Sequence, residues 1–156
     1  MAKNENAARG SMSRNKGKSG EREVAKLLTS ELGDLLEENI KRNLLEQTRD
    51  GGCDLTGLPG FAIEVKRYQS VSGGQLAVWW RQSLEQAALA NGIPVLFFRG
   101  DRREWAALVP LAWVQSPWSE PKGMYVGFDR VTRLTIPTFC SIVRGKLSNH
   151  PTPYMN

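Results

Sequence analysis

The chain has 156 residues, 40% of them hydrophobic, and this length and apolar content suffice for one folded domain with its own core. It contains 21 Lys and Arg against 16 Asp and Glu, and the net charge of +5 favours a polyanionic partner such as nucleic acid. One His and two Cys exclude a His/Cys zinc cluster, a disulfide framework and a histidine-centred nuclease motif, and no apolar stretch reaches the roughly 20 residues of a membrane span.

The N-terminal segment differs in composition from the rest of the chain. Residues 1–18 are mostly small or polar and hold five Lys and Arg against one Glu, which gives a charge of +4. We therefore predict a flexible basic arm that binds phosphates, with a solvated tail as the alternative. A folded domain is expected over residues 19–147, followed by a loose C-terminal tail over residues 148–156.

A helix is expected to begin after Ser19, which is a good N-cap residue, and to end at Leu32, before Gly33. Apolar residues repeat along it at helical spacing. Glu21 projects into the middle of their stripe, whereas Glu23 points away and should be solvated. We favour a functional role for Glu21. The alternative is an ordinary first-turn acid that complements the helix dipole.

The remaining pattern alternates between strand and helix signals. The predicted elements are a short helical piece over 34–38, strands over 40–47, 53–57 and 61–68, a helix over 74–91, strands over 94–99 and 105–110, a hairpin over 124–136 and a helix over 138–146. One apolar face of the helix over 74–91 comprises Leu76, Trp80, Leu84, Ala87 and Ala88. Adjacent tryptophans are not expected to face the core together, so we place Trp80 in the core. Trp79 is the better candidate for a surface role, in stacking on a base or in a dimer contact, but a simple packing contact is the favoured interpretation.

The segment from Asp54 to Lys66 contains the residues that indicate a catalytic site. A turn centred near Pro59 pairs positions whose numbers sum to 118, and this register sets Asp54 directly opposite Glu64. Directly opposed residues have Cβ atoms about 4.5 to 5.5 Å apart. Alternation along the second strand puts Lys66 on the same face as Glu64.

Two carboxylates at that distance repel each other unless one is protonated or a cation lies between them. A hard divalent cation, Mg²⁺ or Mn²⁺, fits because it takes carboxylate oxygens, water and phosphate and does not need histidine. Lys66 would then lie near the attacking water or the attacked phosphate, and Glu21 would add a third acid if its helix packs over the sheet. The alternative is an exposed polar face in which Asp54 is an ordinary turn acid.

Asp54, followed after nine residues by Glu64-Val65-Lys66, resembles the signature of the PD-(D/E)XK nuclease superfamily. More narrowly, four segments resemble the archaeal-type Holliday-junction resolvases in order and spacing: Gly17-Lys18-Ser19-Gly20-Glu21-Arg22-Glu23, the turn over 49–54, Ile63-Glu64-Val65-Lys66 and Gly92-Ile93-Pro94-Val95. The similarity covers residues 16–110. It departs from the pattern at Cys53, where a proline often precedes the first acid, and at residues 48–52, where resolvases carry a Gly/Ser-rich loop.

This resemblance implies an α/β fold in which helices flank a central mixed β-sheet with a restriction-endonuclease-like core. It also implies hydrolysis of phosphodiester bonds with a divalent metal, leaving 5′-phosphate and 3′-hydroxyl ends. Carried over to this chain, Asp54, Glu64 and the carbonyl of Val65 bind the metal, Glu21 assists the metal or the water, and Lys66 orients the nucleophile. The chemistry inferred from the residues themselves agrees with these roles.

We interpret the chain as a magnesium-dependent, structure-selective DNA endonuclease of the resolvase type, acting in DNA recombination and repair in the cytoplasm. A homodimer is expected, because two symmetric cuts across a four-way junction require paired active sites. Basic residues next to the predicted site are candidates for binding DNA phosphates: Lys16, Lys18, Arg22, Arg49 and Arg67. The alternatives are a nuclease of the same fold that acts on other DNA, in nicking, repair or restriction, and a non-catalytic DNA-binding protein.

Overall fold

The computed structural model describes residues 2–44, 52–115 and 127–149, and within these ranges it contains four α-helices and six strands. The helices are α1 (Ala2–Leu32), α2 (Gly73–Ala90), α3 (Leu111–Gln115) and α4 (Ile136–Asn149). The strands are β1 (Lys41–Arg42), β2 (Leu55–Thr56), β3 (Phe61–Tyr68), β4 (Ile93–Gly100), β5 (Ala106–Pro110) and β6 (Val131–Thr135). Short 3₁₀ helices cover Gly33–Leu35 and Phe128–Arg130. No helix in these ranges is both long and apolar enough to cross a membrane.

The six strands form one sheet in sequence order, from β1 at one edge to β6 at the other. β3 and β4 are parallel and are connected by α2, and every other neighbouring pair is antiparallel. The crossover helix has clear ends: Ser72 and Gln75 form a capping box at its start, and Asn91 adopts the left-handed conformation after its last residue. The expected α/β fold with a mixed sheet flanked by helices is therefore confirmed.

Helices cover both faces of the sheet. On one face α1 and α4 share a core with β3, β4 and β5, whose members include Val24, Leu28, Ile63, Val95, Phe97, Val109 and Phe139. On the other face α2 packs through Trp80 and Leu84 against Leu96 and Phe98. Successive residues of a strand point to opposite faces, so a strand that is covered on both sides is apolar without alternation, as β4 is from Ile93 to Phe98.

The first helix is longer than the sequence predicts. It ends at Leu32 as expected, but it begins at Ala2 and not after Ser19, so residues 2–18 are helical and do not form an irregular arm. The physical reason is that nothing in this stretch stops a helix. It lacks proline, and its two glycines cost about 1 kcal/mol each relative to alanine. Ser19 is a good N-cap residue, but capping preference alone does not end a helix that can continue.

Two expectations for the crossover helix are wrong. The two adjacent tryptophans are both buried, because Tyr68 at the end of β3 covers the ring of Trp79, which therefore makes a packing contact and not a surface one. Ala88 is exposed, since it lies in the last turn of α2. The other members of the predicted face, Leu76, Leu84 and Ala87, are buried or half-buried as expected.

The C-terminal region also differs from its prediction. Instead of a hairpin over 124–136, the described residues contain the single strand β6, which pairs with β5 along its whole length. Residues 124–126 lie outside the described ranges. The final helix extends beyond the predicted 138–146, and the strand predicted over 40–47 is limited to Lys41–Arg42 within the described part.

Candidate active site

The hairpin formed by β2 and β3 brings the two predicted carboxylates together. Leu55 pairs with Ile63, and the N–H of Asp54 donates a hydrogen bond to the carbonyl oxygen of Ile63 at 2.9 Å. The pair Leu55–Ile63 sums to 118, as the register predicted from the turn requires, whereas the hydrogen bond of Asp54 to Ile63 is offset from that register by one residue. Asp54 therefore lies beside β3 close to Glu64, whose negative charge acts on it. Gly57 makes this tight connection possible: its φ is 105°, and a Cβ there would lie 2.7 Å from a backbone oxygen.

The carboxylate of Asp54 is fixed at the open edge of β3. The N–H of Val65 donates a hydrogen bond to Asp54 Oδ2 at 2.8 Å. Because the N–H and C=O of one strand residue point to the same side, the carbonyl of Val65 faces this edge as well. Burial, followed by the negative charge of Glu64 and then that of Glu21, raises the pKa of Asp54 to about 8. The ionised form of Asp54 is therefore disfavoured, first by burial and then by the neighbouring acids.

Glu64 and Lys66 form an ion pair on β3, in which Glu64 is buried and Lys66 is half-buried. Lys66 Nζ lies 2.6 Å from Glu64 Oε1, and Glu64 is only 4% exposed. Its second oxygen, Oε2, is buried and has no hydrogen-bond partner within residues 2–44, 52–115 and 127–149. Burial favours the neutral amine of Lys66, but Glu64 and Asp54 outweigh this effect and raise the pKa of Lys66 above its ordinary value. Lys66 is therefore a fixed positive charge beside the two acids.

A cavity of about 160 Å³ opens where these groups meet, lined by Gly17, Glu21, Asp54, Val65, Lys66, Arg67 and Tyr68. The helix α1 thus brings Glu21 to the same pocket as the hairpin acids. Glu21 is buried and forms an ion pair with Arg42 of β1. Its negative charge also contributes to the raised pKa of Asp54. Three predicted catalytic residues, Glu21, Asp54 and Lys66, therefore line one cavity, and the fourth, Glu64, lies behind it in contact with Lys66.

The oxygen donors at the pocket are suited to a hard divalent cation, although they do not form a complete set of metal ligands. No group of three or more His, Cys, Asp or Glu side chains able to hold a metal ion occurs in residues 2–44, 52–115 and 127–149. The geometry therefore does not combine Glu21 with Asp54 and Glu64 in a three-acid cluster. The unpartnered Oε2 of Glu64, the carboxylate of Asp54 and the carbonyl of Val65 are oxygen donors of the type that Mg²⁺ takes together with water and phosphate.

Glu23, expected to be solvated, instead lies at the centre of an ion-pair network. Its Oε1 accepts a hydrogen bond from Arg67 Nη1 at 2.8 Å. Its Oε2 lies 3.1 Å from Arg99 Nη2 and accepts a hydrogen bond from Trp105 Nε1 at 3.2 Å. Arg67 and Arg99 are direct partners in the parallel pair β3–β4, which places their like charges side by side. The Glu23 network compensates that repulsion and fastens α1 to the sheet.

The basic residues predicted to bind nucleic acid differ in their surroundings. Lys16 forms an ion pair with Asp101 in the β4–β5 turn, and Arg67 is held by Glu23 and by Ser19 Oγ at 3.1 Å. Lys18 and Arg22 are exposed on α1. Arg49 lies outside the described residues.

The ion pairs of Glu23 were not predicted from the sequence. The signal for them is a pair of arginines at matching positions of adjacent strands, and this signal can be recognised only when the strand register is known.

The sequence matches a protein-family model described as "Phage putative PDDEXK endonuclease" over residues 12–122, which is well over half of the chain. The chain belongs to this family. The protein is thus an endonuclease of the PD-(D/E)XK type, as its motif suggested, and the matched region contains the hairpin, the pocket and most of α1. A solved structure, that of Archaeoglobus fulgidus Hjc, a Holliday junction resolvase from an archaeal hyperthermophile, is similar with 13% identity and a TM-score of 0.39. The similarity covers 80% of this chain and 98% of that one, and no curated protein matches.

Proposed function

We propose that this endonuclease hydrolyses phosphodiester bonds of DNA with a divalent metal, and that branched DNA, in particular the four-way junction, is its preferred substrate. The observation that carries the metal dependence is the pair Asp54 and Glu64. The half-buried carboxylate of Asp54, just before β2, lies close to the buried carboxylate of Glu64 on β3, and Oε2 of Glu64 has no hydrogen-bond partner among the described residues. Such an arrangement is unfavourable unless one acid is protonated or a cation lies between them, and a bound cation would favour the ionised form of both.

In this proposal Asp54, Glu64 and the carbonyl of Val65 hold Mg²⁺, with Mn²⁺ as a substitute. When bound, a divalent cation lowers the pKa of water and offsets the charge that accumulates on the phosphate. Lys66 supplies a second, permanent positive charge next to the reacting phosphate and orients the attacking water. The N–H of Val65 keeps the carboxylate of Asp54 at the strand edge. Glu21 accepts a proton or orients the water from the α1 side of the pocket.

Binding of DNA is supported by charge. The chain carries a net charge of +5, and exposed Lys18 and Arg22 lie on α1, the helix that carries Glu21 to the pocket. Lys16 and Arg67 are close to the same opening, although both are held by acidic partners. Arg49 completes the predicted set. We expect these residues to contact phosphates, and the affinity for DNA to fall steeply as the salt concentration rises.

Preference for junctions is supported by the resemblance of the segment Gly17 to Glu23 and of the hairpin to archaeal-type resolvases. Symmetric resolution of a junction needs two active sites, and therefore we propose a homodimer. A role in DNA recombination or repair, and hence a location inside the cell, follows from such a substrate. A nuclease of the same fold that nicks, repairs or restricts other DNA remains the second candidate, because its catalytic pocket would be the same.

The test is cleavage of four-way junction, flap, duplex and single-stranded DNA in the presence of Mg²⁺, Mn²⁺ or a chelator. We expect cleavage only with metal and fastest on the junction. Asp54→Asn, Glu64→Ala and Lys66→Ala should bind DNA but lose at least 100-fold in cleavage rate, roughly the loss expected on removal of one electrostatic group. Glu85→Gln, on the exposed side of α2, is the matched control and should cleave normally.

Four outcomes separate the claims. Normal cleavage by the Asp54, Glu64 and Lys66 variants would reject the site assignment. Full activity in chelator would reject the metal. Equal cutting of plain duplex and junction would reject the junction preference and leave a general DNA endonuclease. If sedimentation shows a monomer at concentrations at which the enzyme is active, the homodimer is rejected.

A further inference from the structure

An exposed aromatic ring stands beside the catalytic pocket. Tyr68 is the last residue of β3, lines the cavity and is 41% exposed. Strand alternation places it on the same face as Glu64 and Lys66, two residues beyond Lys66 and therefore about 7 Å along the strand. That distance is comparable to the length of one nucleotide in an extended strand. A nucleic acid whose phosphate lies at Lys66 thus has a neighbouring nucleotide near Tyr68.

The ring of Tyr68 is supported from behind. It contacts Trp79 of α2 with ring centroids 4.7 Å apart and an angle of 35° between the planes. Trp79 is only 7% exposed and belongs to the core between α2 and the sheet. Tyr68 is therefore held by a buried aromatic side chain while part of its own ring remains accessible, which is the arrangement of a stacking platform.

We propose that Tyr68 stacks on an unpaired nucleobase next to the cleaved phosphate, and that this contact gives the enzyme a preference for DNA with an unpaired nucleotide at that position. The inference rests on the proposed function, because it assumes that the pocket cleaves DNA. Bases inside a duplex are already stacked on their neighbours, so only an unpaired or displaced base can present its face to a protein ring. Lys66 and Arg67, which precede Tyr68, supply positive charge for the flanking phosphates.

A binding measurement without cleavage tests the stacking directly. The probe is a DNA duplex carrying one unpaired 2-aminopurine, mixed with the full-length protein in chelator. Stacking quenches 2-aminopurine, so we expect a loss of fluorescence with the native protein and with Tyr68→Phe, which keeps the ring. Tyr68→Leu should abolish the quenching and weaken binding of this probe by roughly 5- to 150-fold, the range for loss of one base–aromatic stack.

The matched control is Phe128→Leu. Phe128 is 38% exposed, close to the exposure of Tyr68, and does not line the pocket. It should leave both quenching and affinity unchanged. Binding of a fully paired duplex should be the same for the native protein and Tyr68→Leu, because a paired base does not reach the platform.

A second measurement does not depend on how well the variant folds. Replacing the unpaired base by an abasic site should weaken binding of the native protein as much as Tyr68→Leu does, and the two changes together should cost no more than either alone. Equal quenching by Tyr68→Leu and the native protein, or additive effects of the two changes, would overturn the inference. If the native protein cleaves no DNA with any metal, the proposed function fails, whereas intact cleavage without these stacking effects rejects only the role of Tyr68.

Discussion

Replacement of Asp54 by Asn tests whether the pocket concentrates negative charge, through the pH dependence of folding stability. Burial, and then the carboxylates of Glu64 and Glu21, raise the pKa of Asp54 from 3.8 to about 8. Between these values the folded protein holds a proton that the unfolded chain has released. The free energy of unfolding therefore decreases as the pH rises through this window, and the stabilisation is complete only below the pKa of the unfolded chain.

The expected change in the free energy of unfolding follows from the binding of one proton to Asp54. A single bound proton changes the free energy of unfolding by about 1.36 kcal/mol per pH unit, so the native protein should lose about 3 kcal/mol between pH 5 and pH 7. The Asp54→Asn variant has no such proton, and its side-chain oxygen can still accept the hydrogen bond from the N–H of Val65. All other titrating groups are common to both proteins, and the difference between the two pH profiles therefore isolates this residue.

The assay is urea unfolding monitored by tryptophan fluorescence at pH 5, 6 and 7, with a chelator present. We expect the stability of Asp54→Asn relative to the native protein to increase by about 3 kcal/mol from pH 5 to pH 7. Mg²⁺ should stabilise the native protein more than the variant at pH 7, since a bound cation favours the ionised carboxylate. Glu85→Gln should follow the native profile. Parallel profiles for the native protein and Asp54→Asn would refute the crowded carboxylate pair.

Three further substitutions test the surroundings of the pocket by chemical denaturation. Glu23→Gln should lower the free energy of unfolding by about 1 to 3 kcal/mol, because Arg67 and Arg99 lose their counter-charge. The control Glu85→Gln should change it by less than about 0.5 kcal/mol, and equal effects of the two variants would contradict the ion-pair network. Gly57→Ala should cost more than about 1 kcal/mol, since its φ is 105° and a Cβ meets a backbone oxygen; a neutral result would contradict the turn. Lys16→Met should cost less than about 1 kcal/mol, because its pair with Asp101 is partly exposed, and a larger loss would contradict a surface pair.

The hairpin was predictable because its determinants are local. Pro59 and Gly60 indicate the position of the turn, and alternation with period two then fixes which residues oppose each other and which share a face. From these two facts alone the register follows, including the approach of Asp54 to Glu64. The apolar character of β4 and the periodicity of α2 were equally readable, because each reflects burial of a whole face.

Features that depend on the packing of distant segments were not predictable in the same way. No local feature of the sequence indicates that Glu23 forms ion pairs, and its partners Arg67 and Arg99 lie 44 and 76 positions further along the chain. Burial of Trp79 likewise depends on Tyr68, which belongs to a strand and not to the helix itself. Helical periodicity predicts the direction of a side chain, but not whether a residue of a neighbouring element covers it. Such contacts become visible only once the sheet order is known.

The position of Glu21 at the pocket is set by charge on both sides of α1 as well as by apolar packing. Glu21 pairs with Arg42 of β1, whereas Glu23, two residues later, pairs with arginines of β3 and β4. The helix is thus fastened to two separate parts of the sheet, and rotation about its own axis would break one pair or the other. Gly20 allows the close approach, because a Cβ there would lie 3.1 Å from the Cβ of Arg67. The network around Glu23 therefore acts on the site by fixing the orientation of the helix that carries Glu21.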